Sequence, residues 1–126
     1  MGCNIHGCVE AKVWGGDWVF LCDIPNYRDY RFYARIANIR NSGEKPIIPI
    51  THPRGLPIDV TNITKVTYDI FMEETGGHDV SFLDCAELRD AVGNINPFWD
   101  AYLRFIFALG ETYGEDAVRM VFWFDN

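Results

Sequence analysis

The alternation of apolar and polar residues predicts β-strands at both ends of the chain. Residues 4–13 and 17–23 are rich in β-forming residues and flank the pair Gly15–Gly16, which predicts a hairpin. A two-residue loop predicts three cross-strand pairs: Val13 with Trp18, Ala11 with Phe20, and Val9 with Cys22. Residues 118–124 are β-branched and aromatic, so we expect a last strand that returns to the same sheet.

Helical spacing of apolar residues predicts four helices between these strands. The first covers 27–40, the second begins after Asp59 or Thr61 and ends at Gly76–Gly77, and the fourth covers 97–113. A third helix begins at Asp84, which has capping-box spacing to Glu87, after a short strand at 80–83. The apolar stripe predicted for the second helix consists of Ile63, Val66, Ile70 and Phe71. The stripe predicted for the fourth consists of Phe98, Tyr102, Phe105, Ile106 and Leu109.

These elements predict an α+β fold. We expect the hairpin and the last strand to form a small antiparallel or mixed sheet, with about four helices packed on one face. The chain has 126 residues and shows no internal repeat, so we expect a single domain over 1–126.

The formal net charge of −7 argues against binding to duplex nucleic acid, because such binding depends on neutralising phosphates with Lys and Arg. There is no apolar run of about 20 residues and no signal peptide, so we expect a soluble cytoplasmic protein that does not contact a membrane. The four cysteines lack C-x-x-C spacing and are expected to be reduced. Motifs for nucleotide hydrolysis, acyl transfer or zinc binding are absent, so no cofactor or metal is predicted.

The segment 44–60 carries four prolines and predicts a long, stiff loop. Loops of this length in small domains are often functional. Within it, the run His52–Pro57 presents Arg54 on a rigid turn, where a guanidinium is suited to bidentate contact with a phosphate or carboxylate. The alternative is that Arg54 ties the loop to Asp59 or to another carboxylate of the protein.

Other polar and aromatic residues complete the predicted ligand site. Arg28 offers a second cation, and Trp123 or Tyr27 offers a ring on which a base can stack. Asn4 and His6, on one face of the first strand, offer polar contacts. His78 follows a Gly-Gly pair, where its side chain can be aimed over the sheet.

Several segments together resemble a family of small phage and prophage proteins. They are the start Met1–His6, the pair Arg40–Asn41, the run Pro53–Pro57 with Asp59, the pair Gly77–His78 ahead of Ser81–Leu83, and the end Val121–Asn126. The family pattern more often has Asp at position 4 and a His-x-His pair near position 78. This chain has Asn4 and Val80 there, which argues against a metal site at these positions.

The resemblance and the predicted site suggest a non-enzymatic phage-type protein. By analogy with viral sponge proteins, it would sequester a small phosphorylated nucleotide, such as a cyclic nucleotide immune signal, as a homo-oligomer that counters host defence. One alternative is a small metal-dependent hydrolase or phosphodiesterase using His6, Glu10, His78 and Asp125. Another is a protein inhibitor of a host enzyme, which predicts an exposed apolar patch instead of a pocket.

Overall fold

The computed structural model describes residues 2–93 and 95–126, and the predicted α+β fold is confirmed over those residues. The strands are β1 (Asn4–Lys12), β2 (Trp18–Asp23), β3 (His78–Asp84) and β4 (Val118–Asp125). The α-helices are α1 (Tyr30–Ala37), α2 (Asn62–Thr75), α3 (Cys85–Leu88) and α4 (Pro97–Tyr113).

The four strands form one antiparallel sheet in the order β2-β1-β4-β3. The strands nearest the two termini, β1 and β4, therefore lie side by side at its centre, with His6 opposite Trp123 and Asn4 opposite Asp125. This pairing brings the first and last segments of the sequence together at one end of the sheet.

The hairpin between β1 and β2 is less regular than predicted. Val9 pairs with Cys22 as expected, but a bulge beyond this pair shifts the register, so that Ala11 faces Val19. The predicted pairings of Ala11 with Phe20 and of Val13 with Trp18 are therefore wrong. The turn is also longer than two residues, because Val13–Gly15 form a 3₁₀ turn in which Trp14 takes a φ of 56°.

Helix α1 is shorter than the predicted span 27–40. It begins after Asp29, whose carboxylate accepts from the backbone N–H groups of Arg31 and Phe32. It ends at Asn38, which adopts the left-handed conformation. These local capping interactions override the apolar spacing that continues to Ile39.

The helices cover both faces of the sheet, which corrects the prediction that all of them pack on one. One face and helices α1, α3 and α4 form the main core, in which Tyr33 of α1 contacts Phe124 of β4 ring to ring. Helix α2 lies on the opposite face, where Phe71 contacts His6 and Trp123. The sheet is thus a middle layer, and α2 alone among the described helices packs on its second face.

The buried faces of α2 and α4 also differ from the predicted stripes. On α2, Ile63, Val66 and Ile70 are more than half exposed, while Thr64 is buried. On α4, the buried residues are Trp99, Leu103, Ile106, Phe107 and Gly110. Because residues 98–109 are apolar on several sides, apolar spacing alone does not fix which side of α4 is buried. The side that faces the core is the one that carries Gly110, which packs closely on Cys85. A Cβ at position 110 would lie 2.4 Å from the Cys85 sulfur.

Candidate functional site

Helix α2 is joined to the sheet by a buried polar network centred on Glu10 of β1. The Glu10 carboxylate is fully buried and accepts from the Thr64 hydroxyl at 2.7 Å and from the Thr61 backbone N–H at 3.1 Å. Its other oxygen accepts from Arg119 of β4 at 2.9 Å. A buried carboxylate needs such partners, so this network fixes the first turn of α2 on the centre of the sheet.

The same network holds the end of the long loop. Arg119 donates to the Asp59 carboxylate at 2.7 Å and stacks on the ring of Trp18, whose centroid is 3.6 Å from the guanidinium carbon. The hydrogen bond from Arg119 keeps the pKa of Asp59 below its ordinary value. Arg119 and Trp123 are four residues apart and share a face of β4, and the ring on which Arg119 stacks is that of Trp18.

A cavity of about 270 Å³ lies between α2 and the sheet, next to this network. Its walls come from β1, β2, β4 and α2, and from the segment after β2. The lining residues are Ile5, His6, Gly7, Cys8, Phe20, Asp23, Ile24, Asn26, Thr64, Thr67, Phe71 and Trp123. We call this space the sheet–helix cavity. Its lining is mostly apolar with a few polar groups, which is typical of sites for small organic molecules.

Trp123 lines this cavity and has an unsatisfied polar atom. The side chain is only 2% exposed and packs edge-on against Tyr68 of α2. Its Nε1 is buried and has no hydrogen-bond partner among the described residues. Trp123 was predicted as a stacking platform, and the structure places it instead in the wall of a cavity.

His6 lies beside Trp123 in the same wall. Its ring is 4.4 Å from the ring of Phe71, and its Nε2 is 3.3 Å from an Asp125 carboxylate oxygen. That contact has the distance of an ion pair without the alignment of a hydrogen bond, and both atoms lack a hydrogen-bonding partner in the described part of the chain. His6 and Trp123, which are paired across β1 and β4, thus each bring to the cavity wall a buried nitrogen, Nε2 and Nε1, that has no hydrogen-bond partner within residues 2–93 and 95–126.

Cys8 is the thiol in the cavity. It is buried, and its sulfur lies 3.1 Å from the Thr64 hydroxyl. Burial raises the pKa of the Cys8 thiol to about 12. The thiol is therefore protonated at neutral pH and is a poor nucleophile.

Asn4, Arg28 and Tyr27 lie near one another at the same end of the sheet. Arg28 donates to the Asn4 side-chain oxygen at 2.9 Å, and Asn4 is two residues from His6 on β1. Tyr27 stacks on Phe98 of α4, with ring centroids 4.3 Å apart. The structure thus brings Asn4, His6, Arg28 and Trp123 to one region, while one face of Tyr27 is already occupied by Phe98.

Arg54 is not part of this region, because it lies against β3, the edge strand that β4 separates from β1. Its guanidinium forms a bidentate ion pair with Glu87 and donates to the Phe82 carbonyl at 3.2 Å. The backbone around it is also fixed, since Arg54 N–H donates to Ser81 and Gly55 N–H donates to Val80. This is the alternative arrangement considered from the sequence, in which Arg54 ties the loop to a carboxylate.

His78 is likewise engaged within the protein. Its Nδ1 lies 2.6 Å from the Asp79 carboxylate and its Nε2 lies 3.2 Å from the Asn126 side-chain oxygen. It is on β3, opposite Phe124, with β4 between it and His6. His78 therefore does not line the sheet–helix cavity.

A second cavity, of about 320 Å³, lies beside α1 and is lined in part by Arg31 and Arg35. Arg35 donates to the backbone carbonyls of Ile48 and Asp90 and so fastens the long loop to the segment after α3. We assign Arg35 to holding these segments together, because all three of these hydrogen bonds go to backbone oxygens.

The residues of the hydrolase alternative are distributed between different contacts. Glu10 on β1 is hydrogen-bonded to Arg119, Thr61 and Thr64. His78 is on β3, where it pairs with the adjacent Asp79 of the same strand. Over residues 2–93 and 95–126, no three His, Cys, Asp or Glu side chains are grouped as a metal would require.

None of the helices in the described part of the chain is both long enough and apolar enough to cross a membrane.

Compared with known proteins, the chain matches no family model, no curated protein and no solved structure.

Sequence reasoning missed Phe71, Thr64 and Cys8 as parts of this site. Phe71 was assigned to the same stripe as Ile63, Val66 and Ile70, because residue 71 continues that apolar run. The sequence does contain one signal that distinguishes Phe71 from those three residues. Thr64 lies on the same side of the helix as Phe71, and its hydroxyl can donate a hydrogen bond to a buried carboxylate of the sheet.

Proposed function

We propose that this protein is a non-enzymatic binding protein that captures a small heteroaromatic ligand, of nucleobase size, in the sheet–helix cavity. The observation that carries the proposal is the buried Trp123 Nε1 without a partner, in the wall of a largely apolar cavity. Leaving a buried donor unsatisfied costs roughly 1–3 kcal/mol, and a ligand with a suitably placed acceptor removes that cost.

The size and lining of the cavity favour one class of ligand. A volume of 270 Å³ equals that of about nine liquid waters, which corresponds to a ligand of roughly ten heavy atoms. Phe71 and Phe20 provide apolar contact, and His6, Asn26 and Asp23 offer polar groups. A nucleobase combines an apolar ring face with acceptors and donors along its edge, so it suits this lining.

The phosphorylated nucleotide expected from the sequence is compatible with this proposal if only its base enters the cavity. Neither Lys nor Arg is among the residues that line the cavity. The base would enter the cavity, and the phosphate would remain outside, where Arg28 is held by Asn4 near His6. Arg54, whose guanidinium is paired with Glu87, is not needed in this arrangement.

The test is isothermal titration with free bases, nucleosides, nucleoside 5′-monophosphates and a cyclic dinucleotide. We expect at least one base-bearing ligand to bind one per chain, and Trp123→Phe to weaken it at least tenfold, because the ring remains but the donor is lost. Trp14→Phe is the matched control, since Trp14 is 80% exposed and is not among the residues that line the cavity. Arg28→Gln should weaken only the phosphorylated ligands.

Heat denaturation of the complex separates binding from catalysis. We expect the ligand to be recovered chemically unchanged, as measured by liquid chromatography. Recovery of a converted product would show that the protein is an enzyme. If Trp123→Phe changes the affinity of none of the ligands that bind, the sheet–helix cavity is not the binding site.

A further inference from the structure

The outer face of α2 presents aliphatic side chains to solvent. Ile63 is 58% exposed, Val66 is 56% exposed and Ile70 is 51% exposed. Their spacing of three and four residues places them in one stripe along the helix, on the side away from Thr64. Ile58, just before the helix, is fully exposed as well. We call Ile63, Val66 and Ile70 the outer stripe.

The outer stripe does not help α2 to fold onto the sheet. The inner side of the helix makes those contacts, through Thr64 with Glu10, Phe71 with His6, and Tyr68 with Trp123. Valine and isoleucine are also weaker helix formers than the charged residues usual on an exposed face. Three such residues in register on a solvent-facing side indicate a surface that is covered by another molecule.

Charge around the outer stripe indicates what that molecule is. Helix α2 has one lysine and three acidic residues, and Lys65 is already paired with Asp69. Glu73 and Glu74 remain exposed without an ion pair among the described residues, at the C-terminal end of the helix. The helix dipole is negative at this end, so two carboxylates there are unfavourable for the free protein and attract a cationic partner.

The same charges argue against a symmetric pair of α2 helices from two copies. Each helix would bring a net negative charge to the contact, and like charges across an interface oppose association. An amphipathic helix that carries aliphatic residues and Lys or Arg is complementary to both parts of the surface.

We propose that the outer stripe, together with Glu73 and Glu74, is a docking surface for a basic amphipathic helix of a partner protein. The aliphatic residues of the partner would pack on Ile63, Val66 and Ile70, and its cations would face the two glutamates. None of these five residues is among those that line the sheet–helix cavity, so the inference stands independently of the ligand proposed for that cavity.

The probe for this proposal is a 14-residue Leu/Lys peptide with helical apolar spacing, titrated into ¹⁵N-labelled protein and followed by amide chemical shifts. A scrambled peptide of the same composition is the control for nonspecific attraction. We expect only the amphipathic peptide to bind, with shifts concentrated at the outer stripe, Glu73 and Glu74. Binding should weaken as salt is raised.

Variants distinguish the surface from the rest of the protein. Val66→Asp should weaken the peptide at least tenfold without unfolding the protein, because the side chain is exposed, and Glu73→Lys with Glu74→Lys should weaken it several-fold and remove the salt dependence. Ile48→Asp, at a side chain that is 79% exposed in the long loop, should have no effect.

Equal binding of the scrambled peptide, or shifts centred on another part of the protein, would overturn the proposal. A concentration-dependent dimer in sedimentation, abolished by Val66→Asp, would also overturn it. The occupant of the surface would then be a second copy, as the predicted homo-oligomer requires.

Discussion

Arg54 of the long loop and Glu87 of α3 form a bidentate ion pair, in which Arg54 Nη1 is 2.8 Å from Glu87 Oε1. Glu87 also accepts from the backbone N–H of Asp84, in the capping box that begins α3. One carboxylate thus connects the loop to the start of a helix. Each side chain is about a third exposed, so solvent screens part of the attraction.

We predict that Arg54 contributes to stability and not to ligand binding. A double-mutant cycle of Arg54→Met and Glu87→Gln, measured by urea unfolding at pH 7, should give a coupling free energy of about 0.5–1 kcal/mol. Gln at position 87 retains the cap and removes only the charge. A coupling free energy near zero, accompanied by loss of ligand binding in Arg54→Met, would instead support the anion site expected from the sequence.

The same pair predicts a pH dependence. The hydrogen bond from Arg54 lowers the pKa of Glu87 below its ordinary value of 4.5. A carboxyl whose pKa is lower in the folded state stabilises the protein above its unfolded pKa, and this stabilisation is lost as the pH falls through the folded pKa. The coupling free energy should therefore be constant from pH 7 to about pH 5 and decline below pH 4.5. A coupling that is unchanged at pH 2.5 would contradict this assignment.

Thr64 is predicted to hold α2 on the sheet. Thr64→Val keeps the shape of the side chain but removes the hydroxyl that donates to Glu10, so we expect a loss of roughly 1–3 kcal/mol in the free energy of unfolding. Thr67→Val is the matched control on the same helix, because Thr67 is exposed and its hydroxyl, within the described part of the chain, donates to the Ile63 carbonyl and not to the Glu10 network. It should change stability by less than about 0.5 kcal/mol. Similar losses for the two variants would show that the Glu10 network does not anchor the helix.

Gly7 is predicted to be essential for the packing of β1 against β4. A Cβ at this position would lie 2.0 Å from the Val121 carbonyl oxygen, a contact that backbone atoms cannot relieve without moving the strand. Gly7→Ala should therefore cost about 3 kcal/mol or more, measured by urea unfolding. Gly43→Ala is the control, since a Cβ there meets no atom within 4 Å, and it should leave stability equal or slightly higher.

Trp123 and Trp99 provide a matched test of the unsatisfied nitrogen. Both side chains are buried, but Trp99 Nε1 donates to the Tyr27 carbonyl at 2.9 Å, while Trp123 Nε1 has no partner in the described chain. Substitution by Phe removes similar volume from each, so the difference reports the hydrogen bond. Trp99→Phe should be about 1 kcal/mol more destabilising than Trp123→Phe in the absence of ligand. The reverse order would show that Trp123 Nε1 has a partner of its own.

The sequence by itself determined those elements whose signals are local. The capping box at Asp84 and Glu87, the Asn96–Pro97 start of α4 and the β-branched run of β4 each act within a few residues, and each element forms where it was predicted. The α+β class follows from these elements, because a hairpin and a distant strand bury their apolar faces by joining one sheet.

Only the tertiary structure decided which side of α2 faces the protein. Ile63, Val66 and Ile70 are the more apolar side, but the buried carboxylate of Glu10 and the charge of Arg119 need hydrogen-bonding partners on that face of the sheet. Burying those groups without partners costs more than exposing three aliphatic side chains. The side of α2 that carries Thr64, Tyr68 and Phe71 therefore turns inward, and this choice creates both the sheet–helix cavity and the exposed outer stripe. The sequence alone does not reveal it, because Glu10, Thr64 and Arg119 are separated by more than fifty residues each.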